Sequence, residues 1–350
     1  MEINTKEWLH IRPYKTSEAD IWDQYLLNHS EGNFYQRYDW KGINSRNFGH
    51  DCYFMGAEKD GQLVGLFPMI YIQSRIFGKI LSSMPFVNYG GLCSDNNEIT
   101  EALLKEAKTL TTKCDADFLE IRSLKSLSES MPDATHKISM TLDLDADADK
   151  IWNGFKSKHR TNIRRVYKNG ITVKQGRHNL LDIFYKLISQ SWRGLGTPIY
   201  KKSYFKDILD TFPNETKIFV AYKDGTPIAT AFNGYYKGVV EGMWAGALPK
   251  YRKHQPNYVL YWEMIKDACE NNFEHFHLGR STVDTGAEAF KKKWNAHAKQ
   301  LHWQYILNKS DDIPQLNVSN PKFQLAIKVW SKLPLSITTK IGPLVARSIP

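Results

Sequence analysis

Apolar positions recur at two periods along this chain, and the period changes where the element type changes. Over residues 17–28, Ile21, Trp22, Tyr25 and Leu26 fall on one helical face, and Ser17 can cap the N-terminus. Residues 54–72 read instead as a strand, an Asp-Gly turn at Asp60 and Gly61, and a return strand. Pro85, Gly90 and Gly91 make residues 80–92 an irregular strand or loop. Leu103, Leu104, Ala107 and Leu110 give a helix over 99–111, followed by a strand at 118–122. Residues 137–144 alternate in part, either closing a first unit or bridging to a second.

The second half repeats the alternation. Residues 146–169 read as one helix with Asp147 and Asp149 in its first turn, where negative charge suits the dipole. A helix at 180–192 leads into a loop over 193–200, a hairpin at 217–236 and a strand at 239–247. A basic loop, 248–256, opens a helix at 257–271, with Asn257 as its cap and Tyr258, Tyr261, Trp262 and Ile265 as its apolar stripe. The stripe reads as core more readily than as binding surface. A short strand at 276–278 breaks at Gly279 into Arg280-Ser281-Thr282. A loop containing Gly286 then closes on Phe290, three lysines and Trp294.

Two landmarks recur in order. Residues 54–65 are echoed by 219–229 around the Asp-Gly pairs at 60 and 224, and Phe118-Leu-Glu-Ile-Arg-Ser is echoed by Phe276-His-Leu-Gly-Arg-Ser. Both offsets are roughly 160 residues, the signature of an internal duplication. The expectation is an α/β (α+β) chain of two similar units, 1–145 and 146–310, followed by a basic amphipathic tail, 311–350.

Composition narrows the partners. The 350 residues carry a formal charge of +10, which favours anions: nucleic acid, phosphorylated carriers, nucleotide cofactors or an anionic membrane surface. The scattered Cys52, Cys93, Cys114 and Cys269 read as buried thiols of a reducing compartment. His275, His277, His297 and His302 lack carboxylate or cysteine partners at metal-ligand spacing, so no metal is expected. No apolar run of about 18 residues appears, and the first residues do not read as a signal peptide. The expected location is cytoplasmic. From residue 313 on, the tail carries Lys322, Lys328, Lys332, Lys340 and Arg347 among apolar residues and no acid, and it can lie on an anionic inner leaflet or pack on the first domain.

Candidate chemistry gathers in the second half. A basic loop before a helix N-terminus is an anion site in waiting. The cations of 156–168 include Arg160, Arg164 and Arg165, which read either as a solvated face or as an anion-binding face.

Three segments resemble the Fem-type acyltransferases. They are strand 239–247, the loop-helix of Tyr251, Arg252, Asn257, Tyr258, Tyr261 and Trp262, and the run Gly279, Arg280, Ser281, Thr285, Gly286, Phe290, Lys291 and Trp294. The segment of His159, Arg160, Asn162, Ile163, Arg164 and Arg165 fits as well, as does the tail around Trp330 and Pro334. Within that family the chain is most similar to the FemAB-related proteins accompanying exosortase/PEP-CTERM polysaccharide systems. The resemblance implies two tandem GNAT-like (acyl-CoA N-acyltransferase) domains, with mixed central sheets flanked by helices. It implies acyl or aminoacyl transfer to an amine of a carrier-linked glycan or peptidoglycan-type precursor. The donor is acyl-CoA or aminoacyl-tRNA, so tRNA joins the expected partners. The usual Arg/Gln-x-x-Gly-x-Gly/Ala loop is replaced by Tyr251-Arg-Lys-His-Gln-Pro-Asn, which counts against ordinary acetyl-CoA binding.

On this reading Glu241 accepts the proton, with a raised pKa if its apolar neighbours desolvate it. Its competing role is a cross-strand salt bridge. Arg252, Arg280 and Lys291 hold phosphates, Arg160, Arg164 and Arg165 the same anion or another, and Trp244, Tyr251 and Tyr258 line the cleft. Asn257, Ser281 and Gly286 complete the binding set. The alternative from another class is a non-catalytic binding module for lipid-linked glycan or RNA, which the charge and aromatics also suit.

Overall fold

The computed structural model describes residues 9–75, 77–313 and 321–349. The first half forms strand β1 (His10–Pro13), helices α1 (Ala19–Asn28) and α2 (Trp40–Phe48), and the hairpin β2 (Asp51–Lys59) and β3 (Gln62–Ser74). Strands β4 (Gly78–Ser82) and β5 (Cys93–Ser94), helix α3 (Asn97–Lys113), and strands β6 (Phe118–Ser123), β7 (Asp133–Ala134) and β8 (Lys137–Asp143) follow. The second half opens with helices α4 (Ala148–Gly154) and α5 (Ser157–Lys168), strand β9 (Ile171–Gly176), and helices α6 (His178–Gly194) and α7 (Lys202–Thr211). It continues with strands β10 (Thr216–Lys223), β11 (Thr226–Tyr236) and β12 (Val239–Ala247), helix α8 (Asn257–Glu270), strand β13 (His275–Thr282) and helix α9 (Gly286–Lys292). Strands β14 (His297–Gln300) and β15 (His302–Leu307) precede helices α10 (Pro321–Lys332) and α11 (Leu335–Ala346).

Both Asp-Gly hairpins form as their sequences require. Asp60 and Gly61 have φ of 52° and 76°, and Asp224 and Gly225 have 49° and 74°. Consecutive positive φ values match the right-handed twist of the flanking strands.

The duplication is plain in the sheets. Their orders are β1-β2-β3-β4-β6-β15-β7, with β5 on β3, and β9-β10-β11-β12-β13-β8-β14. In each, an antiparallel run ends in a parallel pair, β4 with β6 and β12 with β13, and each pair is joined through a helix, α3 or α8. A parallel pair needs such a crossover. Each helix lays its apolar face on its own sheet. Ile99, Leu103 and Ala107 of α3 pack with Phe67, Leu81 and Leu119, while Val259, Leu260 and Ile265 of α8 pack with Phe219, Val240 and Phe276.

The compact units are 1–135 with 300–314 and 348–350, and 136–299 with 315–347. These differ from the sequence-derived boundaries at 145 and 310 for a topological reason. Strand β8 pairs with β13 of the second sheet, and β15 pairs with β6 of the first, so each sheet takes a strand that linear order would give the other.

Four expected elements change, the first being the strand expected at 276–278, which continues through Gly279 to Thr282 as β13. The single helix over 146–169 is two, because Phe155 is extended (φ −72°, ψ 147°) between α4 and α5. The loop expected around Gly286 is helix α9. Where described, the tail packs α10 and α11 on α6 of the second unit rather than on the first: Arg193 donates to the Leu333 carbonyl at 3.3 Å, and Gly196 and Gly342 abut Ile327 and Ile199.

Candidate functional site

The second sheet provides the frame. The parallel ladder of β12 and β13 runs Val239–His275, Val240–Phe276, Glu241–His277 and ends there. Beyond it both strands are irregular. β12 shifts register against β11 between Phe232 and Asn233, and β13 shifts against β8 between His277 and Arg280. Gly279 is needed at this point. Its φ is +80°, and a Cβ there would lie 2.8 Å from the Gly242 carbonyl oxygen.

At the last rung, Glu241 meets His277, with 2.8 Å between its Oε1 and the ring Nδ1. Glu241 is buried and lines neither of the cavities described below. A cross-strand side-chain contact of the kind weighed from sequence is therefore present, as a hydrogen bond with a histidine as the partner.

The other end of β12 opens on a cavity of about 250 Å³ at the start of α8, lined by Ala247, Arg252, Gln255, Pro256, Asn257, Tyr258, Phe290 and Lys293. A second cavity of about 340 Å³ adjoins it through Tyr258 and Lys293, and is lined also by Lys156, Lys158, His159, Asn162, Ala289, Lys292 and Asn295. Lys292 is held by Glu288 at 2.7 Å, whereas Lys156, Lys158, Lys293 and Arg252 form no ion pair among the described residues. Unneutralised cations at a helix N-terminus make an anion-binding wall.

The loop entering α8 is fixed from outside. Gln255 sits at φ 53°, and Arg165 donates to its side-chain oxygen at 2.6 Å, tying α5 to that turn. Arg165 thus shapes the anion wall rather than lining it. Of the thirteen residues expected at the site, Arg252, Asn257 and Tyr258 come together on these cavities.

The remainder lie elsewhere, for identifiable reasons. Arg160 donates to the carbonyls of Asn153 and Phe155 at 2.8 and 2.9 Å, closing the end of α4. Arg164 lies over the Trp152 ring at 5.2 Å. Trp244 is buried in a ring cluster with Tyr204, Phe205 and Phe232, and is core rather than cleft. Tyr251 is half-buried against the main core, beneath Lys250. Arg280 is half-buried and Ser281 buried, both along β13, and Gly286 begins α9 in open space. Lys291, expected on a phosphate, is buried, and its ammonium donates to the carbonyls of Gly279 and Arg280 at 2.7 and 3.0 Å. Burial, and secondarily Arg280, push its pKa down to about 7.

Sequence reasoning missed His159, His277, Lys156, Lys158 and Lys293 as site members. His159 had left a signal. It shares a helical face with Ile163 and Val166, and that face is the buried one.

Residues 157–292 match the model of an acetyltransferase (GNAT) domain. No curated protein matches the chain. Among solved structures, FemX is similar with a TM-score of 0.66 at 16% identity, over 91% of this chain and 100% of that one. A tandem GNAT protein from the clavulanic acid biosynthesis pathway gives a TM-score of 0.52 at 11% identity, over 85% and 97%. L-PGS from Bacillus licheniformis gives 0.54 at 13%, over 92% and 99%. The fold is GNAT-like, with two mixed sheets flanked by helices, and its class is acyltransferase.

Proposed function

We propose that this acyltransferase moves an acyl or aminoacyl group onto an amine of a carrier-linked cell-envelope glycan or peptidoglycan-type precursor. The observation that carries the reading is the layout of β12, with a basic cavity at Ala247 and the Glu241–His277 pair six residues away. At ~3.3 Å per residue those points are about 20 Å apart along the strand. An elongated donor suits this layout, its phosphates at the cavity and its carbonyl toward the pair. Acyl-CoA and the 3′ end of an aminoacyl-tRNA both have that form. The Fem-type resemblance favours a glycan or cell-wall acceptor, including an exopolysaccharide precursor.

In the reaction the neutral amine attacks the donor carbonyl, a C–N bond forms, and the C–S or C–O bond to the carrier breaks. The amine proton passes to the Glu241–His277 pair, and the leaving thiolate or alkoxide takes a proton in turn. Positioning supplies much of the acceleration. Glu241→Gln is expected to lower kcat by about 100-fold or more with KM little changed. An unaltered kcat would remove the pair from the chemistry.

The donor is decided by calorimetric titration with coenzyme A and acyl-CoA, against a charged minihelix of tRNA. Micromolar acyl-CoA binding that weakens in Arg252→Ala identifies a CoA donor. No binding of either, and no acyl transfer, would overturn the proposal.

No described helix is long and apolar enough to cross a membrane. The tail nonetheless leaves Leu325, Val329, Ile337, Ile341 and Leu344 exposed, and from residue 313 on its charged residues are all cations. We include in the proposal a peripheral seat on an anionic bilayer through these residues. Co-sedimentation with vesicles rich in anionic lipid should fall in Leu325→Glu/Leu344→Glu, and equal sedimentation would refute the seat.

A further inference from the structure

His159 is 5% exposed, yet neither ring nitrogen has a hydrogen-bond partner among the described residues, and its ring lines the larger cavity. Three rings enclose it: Phe155 at 5.4 Å, Tyr258 at 5.3 Å and Trp294 at 4.3 Å between centroids. A buried polar ring without a partner is costly, and a ligand able to accept and donate would remove that cost. The cavity's other polar groups fit a clustered anion. Lys156, Lys158 and Lys293 form no ion pair among the described residues, and the amide of Asn162 adds a neutral donor, while Asn295 Nδ2 donates to the Gly154 carbonyl at 2.9 Å.

We propose that this second cavity is a phosphoanion subsite, built for a diphosphate or similarly clustered phosphate group, with His159 as its buried hydrogen-bonding residue. It is separate from the cavity at the α8 N-terminus and adjoins it through Tyr258 and Lys293. The purpose assigned to it rests on the acyltransfer reading. One diphosphate source is the donor's nucleotide, and the other is the carrier of the acceptor. Phosphate binding itself is measured without turnover, so the two readings can fail independently.

The groups around His159 give the binding a spectroscopic signature. Burial, and secondarily Lys293, push its pKa down to about 4, so the ring is neutral at pH 7. Lys156 and Lys158 on the α5 side, and Lys292 with its partner Glu288 on α9, complete the charged surroundings, and Tyr258 faces it from α8. A bound anion adds negative charge, and the imidazole pKa must rise.

The test uses the full chain and inorganic pyrophosphate. Calorimetry is expected to give saturable binding that weakens at least about five-fold in Lys156→Gln/Lys158→Gln, both exposed and so tolerant of change. His159→Phe keeps the ring volume and removes both nitrogens, and should weaken binding by about ten-fold. If that variant does not fold, ring-nitrogen NMR of the unaltered protein replaces it, with the His159 titration moving upward when pyrophosphate is added. Pyrophosphate displaced by coenzyme A assigns the subsite to the donor nucleotide. Pyrophosphate bound alongside saturating coenzyme A assigns it to the acceptor's carrier. No saturable binding at millimolar pyrophosphate, or binding indifferent to both variants and to the His159 resonances, overturns the proposal.

Discussion

At the scale of single residues, two buried bases set separate pH windows. Lys291 has a folded pKa of about 7 against an ordinary 10.5, so between those values the unfolded chain holds more protons. Stability therefore rises with pH across that window, by at most about 1.4 kcal/mol per unit. His159 acts lower down. Its pKa falls from 6.5 to about 4, so stability is lost as pH drops through that interval, while the unfolded histidine takes up the proton first. Chemical denaturation at several pH values, for the wild type against Lys291→Met and His159→Phe, should show each variant losing one slope and keeping the other. Parallel curves throughout would contradict both assignments. The same residues show where sequence was legible. Arg252, Asn257 and Tyr258 come together because a basic loop running into a helix start is a local signal, although the N-cap is Pro256, with no side-chain capping bond, and the expected cap Asn257 is the first helical residue. Lys291 was misplaced because its partners are the carbonyls of Gly279 and Arg280, whose direction depends on the bulge of β13.

Among elements, the break between α4 and α5 is held by one nearby side chain. Arg160 bonds the Asn153 and Phe155 carbonyls, which a continuous helix would have used internally. Arg160→Ala should cost about 1–2 kcal/mol, read as a lower urea midpoint with an unchanged slope. Arg160→Lys should recover part of it, since both bonds leave the single nitrogen Nη1 and an ammonium also offers several donors on one nitrogen. Reduced pyrophosphate affinity at unaltered stability would instead return Arg160 to an anion-binding role. Strong periodicity located α3, α6 and α8, and the Asp-Gly pairs located both hairpins. Helix α9 was read as a loop because Gly286 was weighed above Ala287, Glu288, Ala289 and the lysines, which are good helix formers. Its place is set by Phe290, whose ring packs on Tyr258 and Tyr261 of α8.

For the whole molecule, the exchange of β8 and β15 decides what can fold alone. The repeat revealed two units but could not reveal the exchange, because strand partners at this sequence separation leave no local mark. A fragment of residues 1–145 carries β8 without its partner β13, and it lacks β15, which sits between β6 and β7. Its β6 would then present an unpaired ladder edge, and Trp303 and Gln304 would no longer pair with β7. That fragment should aggregate or unfold without cooperativity. Residues 1–135 joined by a short flexible linker to 300–313 restore every strand of the first sheet, and should give a cooperative thermal transition by circular dichroism. The two fragments have nearly the same length and composition, so a difference between them isolates strand membership. Equal cooperativity in both would mean that β15 is dispensable to the first sheet, and that the duplicated unit folds as it is written along the chain.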